Sequence, residues 1–274
     1  MFVIIIDFMS EIFLMFEKTK YFIIDMDGTF YLGDEIIPGS DKFISYIRSK
    51  GKDFYFFTNN SSHNEEECMN KLDKIGFPVD RGRVIISSHV AIDFIKRNRP
   101  GKKVFLLANE NFTNDCIKEN LLLDNENPDI ILLGFDTTLT YDKINRACNL
   151  LYYNKNTEFI ATHPDKNCPL KDGFMTDTGS MIEMFYASSG RRPDIIIGKP
   201  YRYTIDYVTH RLNCAEDEIC FIGDRIETDV AIGYENGIDS VLVYSGVTTP
   251  EMYRNQNIKA TLDVKNLKEL CNYI

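Results

Sequence analysis

Asp25-Met26-Asp27-Gly28-Thr29 sets two carboxylates two positions apart, directly after the apolar run at residues 21–24. Such a pair can divide the work of phosphoryl transfer. One carboxylate attacks phosphorus and becomes an aspartyl phosphate; the other gives a proton to the leaving oxygen and later takes one from water. Gly28 gives the turn the freedom to bring backbone N–H groups toward a phosphate. Taken alone, the same five residues also read as an acidic surface turn.

Three further polar groups follow apolar runs. Thr58-Asn59-Asn60, after residues 54–57, offers a hydroxyl and N–H groups to phosphate oxygens; an Asn-rich turn is an equal alternative. Lys199, in Gly198-Lys199-Pro200 after residues 195–197, offers an ammonium beside carboxylate and phosphate, although most such lysines are simply solvated. Gly223-Asp224-Arg225-Ile226-Glu227-Thr228-Asp229, after residues 219–222, clusters acids that suit Mg²⁺, a hard cation that takes oxygen ligands. The plain alternative there is a helix N-terminus with favourable acids.

Positioning these groups requires strands. Short apolar runs alternating with helical patterns signal a parallel sheet with crossover helices, an α/β fold. Phe43, Ile44 and Ile47 have helical spacing, with Ser40 or Asp41 as cap. Cys68, Met69, Leu72 and Ile75 mark another helix that Gly76 closes. Residues 240–243 read as a further strand. In open α/β sheets the ligand crevice lies outside the carboxyl ends of the strands, so four polar groups at four strand ends are expected to converge.

The middle of the chain has its own alternation: strands at 104–108, 130–133 and 159–162, a helix at 141–153, and a helix from about Thr178 with Met181, Ile182 and Phe185 inward. A second, smaller α/β domain inserted into the first is the expectation. It gives a core at residues 16–86 and 193–274 and an insertion at 87–192.

The net charge of −10 and the lack of any basic stripe argue against nucleic acid as partner. Seven cysteines, odd in number and without a C-x-x-C pair, read as reduced thiols in a cytoplasmic protein rather than a disulfide scaffold or zinc site. Residues 1–15 are strongly apolar but hold Asp7 and Glu11, lack a basic flank and are short for a bilayer, so no membrane attachment is expected. They read as an extension outside the fold, with Met15 as an alternative start; N-terminal mass spectrometry of the native protein tests this.

From about Met15 onward the chain resembles the haloacid dehalogenase superfamily. The resemblance implies a three-layer Rossmann-like core, Asp25 as nucleophile, Asp27 as general acid/base, Lys199 as orienting cation, and Thr58, Asn59 and Asn60 on the phosphate. Mg²⁺ would be held by Asp25, the Asp27 carbonyl and Asp224, with Asp229 in support. Aspartate at the second position of D-x-D is typical of the family's phosphatases. The insertion is similar to a type C2 cap. Thr162-His163-Pro164-Asp165, Gly173, Gly179 and Gly198-Lys199-Pro200 resemble the NagD-like and 4-nitrophenylphosphatase-like subfamily IIA. His163 replaces a commoner Asn there, and Thr176-Asp177-Thr178-Gly179 replaces a Pro-Gly loop. His163 and Asp165 thus become substrate-facing candidates, with Phe174 and Met175 on the cap side. The implied activity is hydrolysis of a small phosphomonoester, with a homodimer supported by the cap as one arrangement. A phosphomutase would use the same residues; a non-catalytic protein that binds a phosphorylated ligand on this scaffold is expected to lack at least one charged member of the site, and none is missing here.

Overall fold

Strands buried on both faces need uninterrupted apolar runs, and this chain supplies them in two places. The computed structural model describes residues 16–170 and 173–274; the apolar N-terminal stretch read as an extension lies outside them. Two compact units emerge. The first takes the chain up to Phe57, then Lys71–Val84 and Val208–Ile274. The second takes Thr58–Asn70 and Ile85–Tyr207.

A six-stranded sheet is ordered Leu262–Val264, Asp239–Val243, Ile219–Gly223, Tyr21–Asp25, Asp53–Thr58, Val84–Ile86. The pairings Tyr21–Asp25 makes on both sides are parallel, with Ile24 opposite Ile222 and Asp25 opposite Phe57. Every residue of Ile219–Gly223 is buried, as are Phe22, Ile23 and Ile24. Helix Ser40–Ser49 buries Phe43, Ile44 and Ile47, as its spacing requires. Phe22 meets Phe43 edge-on at 5.7 Å between ring centroids, and Phe57 meets Phe221 at 6.4 Å. Burying each such ring contributes about 1.5–3 kcal/mol. The expected cap at Ser40 or Asp41 is not made: Gly39 is the N-cap, and the Ser40 hydroxyl is buried without a hydrogen bond.

A second parallel sheet is ordered Ile195–Ile196, Glu158–Ala161, Ile130–Leu133, Lys103–Leu107, Leu122–Leu123. Helices Tyr141–Tyr153 and Thr178–Ser189 pack Ala147, Leu151, Met181, Ile182 and Phe185 with Phe105, Ile131 and Phe159. Thr140 and Asp177 cap these helices through side-chain oxygens. An antiparallel hairpin, Asn167–Leu170 with Gly173–Thr176, precedes the second helix and leaves Phe174 exposed. The architecture is a Rossmann-like α/β fold of parallel sheets with flanking helices. Among the described residues no helix is long and apolar enough to cross a membrane.

Candidate active site

In the first unit the carboxyl ends of adjacent parallel strands carry the acids. Tyr21–Asp25 ends in Asp25, and Asp224 follows Ile219–Gly223 directly. After Arg225 the chain takes a five-residue π-turn, Ile226–Val230, in which Val230 N–H reaches Arg225 O at 3.2 Å. That wider turn carries Asp229 back over the strand end. Its carboxylate accepts the Arg225 N–H at 3.1 Å, and a Cβ on Gly223 would sit 2.0 Å from Asp229 Cγ. Only glycine leaves room for that carboxylate.

One carboxylate oxygen from each of Asp25, Asp224 and Asp229 lies within 4.8 Å of the others. Asp224 is 1% and Asp229 2% exposed. Asp224 accepts Val247 N–H at 2.6 Å and the Thr29 hydroxyl at 3.3 Å. Gly28, at φ +84°, closes the cradle: a Cβ there would lie 2.6 Å from Asp224 Oδ2. Burial, and then the Asp229 carboxylate, push Asp224 up to about 6, against the Val247 N–H that favours the charged form. Three crowded acids with hard oxygen donors and little water are a donor set that fits a divalent cation.

Asp27 lies outside this trio and is exposed overall. Partial desolvation raises its carboxyl above the ordinary value, opposed by Lys71, Arg225 and the Gly33 and Gly28 N–H groups. Lys71 stands 4.5 Å from the centre of the Tyr31 ring.

The second unit gathers the other candidates. Lys199 is 2% exposed, so the solvated reading of that lysine does not hold. Its N–H donates to Asn59 Oδ1 at 3.0 Å, and its carbonyl accepts from Asn59 Nδ2 at 3.0 Å. Asn59 Nδ2 also donates to Asp165 Oδ2 at 2.7 Å. Thr58 Oγ1 accepts the Asn60 N–H at 3.1 Å, while Asn60 Oδ1 accepts from Ser62 N and Oγ. Asn60 Nδ2 reaches Cys168 Sγ at 3.8 Å.

His163 is fully buried, with Nδ1 2.9 Å from Thr162 Oγ1 and Nε2 2.8 Å from Asp177 Oδ1. It is thus committed to a buried network within the unit. Asp165, expected beside it, is half-buried and turned to Asn59. Val247 and Lys71 escaped the sequence reading, and Thr29 and Arg225 stood in the motifs it singled out without a role of their own. The run at 240–243 was visible as a strand, and its downstream Ser245-Gly246-Val247 was the signal available for Val247.

Residues 22–121 match the family described as haloacid dehalogenase-like hydrolase, and residues 196–270 match HAD-hydrolase-like. An acid sugar phosphatase of Staphylococcus saprophyticus is 31% identical over 92% of this chain and 96% of its own length. The 4-nitrophenylphosphatase of Thermotoga maritima superposes with a TM-score of 0.89 at 39% identity, covering 94% of this chain and 98% of that one. A putative NagD protein gives a TM-score of 0.87 at 37% identity over 93% and 98%. The chain belongs to the haloacid dehalogenase-like hydrolases, in their NagD-like branch, and is a phosphatase.

Proposed function

We propose that the chain hydrolyses a small phosphomonoester in two steps, through a phosphoryl group carried on Asp25. The observation that supports this most is the convergence of Asp25 with the buried Asp224 and Asp229. Asp25 attacks phosphorus and the ester oxygen leaves with a proton from Asp27. Asp27 then takes a proton from the water that releases phosphate. Asp25, Asp224 and the Asp27 carbonyl would hold Mg²⁺, with Asp229 behind them. When bound, the ion offsets the repulsion between carboxylate and phosphate. Lys199 supplies the second positive charge. Thr58, Asn60 and the N–H groups around them serve the phosphate side.

The proposed division into a core at 16–86 and 193–274 and a cap at 87–192 draws support from the second sheet. Four of its five strands fall wholly inside that insertion, and the fifth, Ile195–Ile196, follows directly. The substrate class is a sugar phosphate, nucleotide or cofactor phosphate, with sugar phosphates favoured by the Staphylococcus relative's name. The test is phosphate release across a panel of these esters, with Mg²⁺ and with EDTA. Metal-dependent release ranked by substrate is the expected result; folded, Mg²⁺-supplied protein that releases no phosphate from any ester contradicts the reading.

A further inference from the structure

We infer that the side chains of Asn59 and Asp165 do not bind the substrate but form a positioning pair that fixes Lys199. The inference rests on Lys199 being the cation of the proposed reaction. A neutral amide has two donor hydrogens, and both of Asn59's are in use. One goes to Asp165 Oδ2 at 2.7 Å, the other to the Lys199 carbonyl at 3.0 Å. No hydrogen is left for a phosphate oxygen unless one of these bonds is surrendered. Asn59 Oδ1 takes the Lys199 N–H at 3.0 Å, so the side chain brackets one residue from both sides of its backbone, as a neighbouring strand would.

Asp165 decides which way round that bracket sits. A carboxylate only accepts, so it demands the nitrogen end of the amide. With Nδ2 turned to Asp165, the second hydrogen and Oδ1 fall on the Lys199 carbonyl and N–H in matching polarity. Reversing the amide would set oxygen against both the carboxylate and the carbonyl, leaving buried polar groups unmatched at about 1–3 kcal/mol each. The surroundings leave little slack. Ser87 Oγ donates to the Asn59 carbonyl at 2.5 Å, and Gly198 N–H donates to the Thr162 carbonyl at 2.7 Å. A Cβ on Gly198 would meet Asn59 Oδ1 and Thr162 O, each at 2.6 Å. Gly179 N–H holds the Asp165 carbonyl at 2.7 Å, anchoring that residue to the start of helix Thr178–Ser189. Lys199 is therefore held by Asn59, 140 positions away in the chain, which is itself oriented by Asp165, 106 positions from Asn59.

Steady-state kinetics on 4-nitrophenyl phosphate with Mg²⁺ test the pair, with thermal melts as the folding control. Lys199→Met sets the reference. Asn59→Ala is expected to lower kcat by about 10²-fold, as a misaimed catalytic group does, with little change in KM. In the Lys199→Met background the same substitution should cost nothing more. Asp165 gives the sharper contrast because, being half-buried, it can be replaced without leaving a deep cavity, and its variants are expected to fold. Asp165→Ala should lower kcat, while Asp165→Asn, which still offers an acceptor oxygen to Asn59, should recover most of that loss. Wild-type kcat in Asn59→Ala, or Asp165→Asn as damaging as Asp165→Ala with a raised KM, overturns the inference. Wild-type turnover in Lys199→Met would instead sink the catalytic role of Lys199 itself.

Discussion

At the residue scale, the two aspartates of Asp25-Met26-Asp27 occupy different environments, as separate roles demand. Asp25 belongs to the acid trio; Asp27 stands apart, raised by desolvation. Asp27→Asn keeps size and polarity but removes the proton shuttle proposed for this residue, so kcat should fall by about 10²–10⁴-fold with the fold intact. Steady-state phosphate release with circular dichroism checks this. Asp224→Asn separates charge from packing in the trio. Without metal it relieves repulsion among buried carboxylates, so its melting temperature should equal or exceed wild type. With Mg²⁺ at about 100 times its dissociation constant, wild type gains about 2.7 kcal/mol and the variant should gain almost none. Thermal melts with and without the ion measure both. The acids were legible in the sequence because their types and strand-end positions point to one chemistry. The surroundings of Asn59 and His163 were not, since no local pattern shows that an amide will bond a lysine backbone or an imidazole a buried aspartate.

At the element scale, the strands with uninterrupted apolar runs were legible to within a residue or two. Residues 21–24, 54–57 and 219–222 became Tyr21–Asp25, Asp53–Thr58 and Ile219–Gly223. Two-residue strands such as Leu122–Leu123 were not, because so short a segment carries no period. The π-turn Ile226–Val230 was likewise invisible: Asp and Glu after a strand look the same before an α-turn or a π-turn. Its consequence is testable through Gly223. A methyl there collides with Asp229 Cβ and Cγ at 2.4 and 2.0 Å. Gly223→Ala should destabilise the protein by about 1–3 kcal/mol, the cost of overpacking. It should also weaken Mg²⁺ binding by displacing Asp229. Urea denaturation and calorimetric titration of Mg²⁺ read the two effects separately.

At the scale of the whole molecule, two sheets with separate cores follow from two blocks of alternating apolar runs, and that much was legible. The limits of the two units carry no such signal, because the chain passes between them within strands, at Phe57 and Val84, and within helices, at Asn70 and Tyr207, without a Gly- or Pro-rich linker to mark the change. The thiols give a molecule-wide check on both cores. Among the described residues, which include all seven cysteines, no disulfide forms. Cys68, Cys116, Cys148 and Cys220 are buried; Cys168, Cys214 and Cys271 are partly exposed. Burial pushes Cys116 up to about 12 and Cys220 well above the usual thiol range, so neither supplies thiolate near neutrality. Native protein should therefore label quickly at the three partly exposed thiols and slowly at the four buried ones, by peptide mass spectrometry after alkylation. Rapid labelling of Cys116 or Cys220 would show that a core is open.

The central claim is that Asp25 carries the phosphoryl group. Acid quenching during turnover of a radiolabelled phosphate ester, followed by peptide mapping, tests it most directly. The expected result is a hydroxylamine-labile label on the peptide containing Asp25, absent from Asp25→Asn along with turnover. Label on a different residue, or turnover that survives Asp25→Asn, would contradict it.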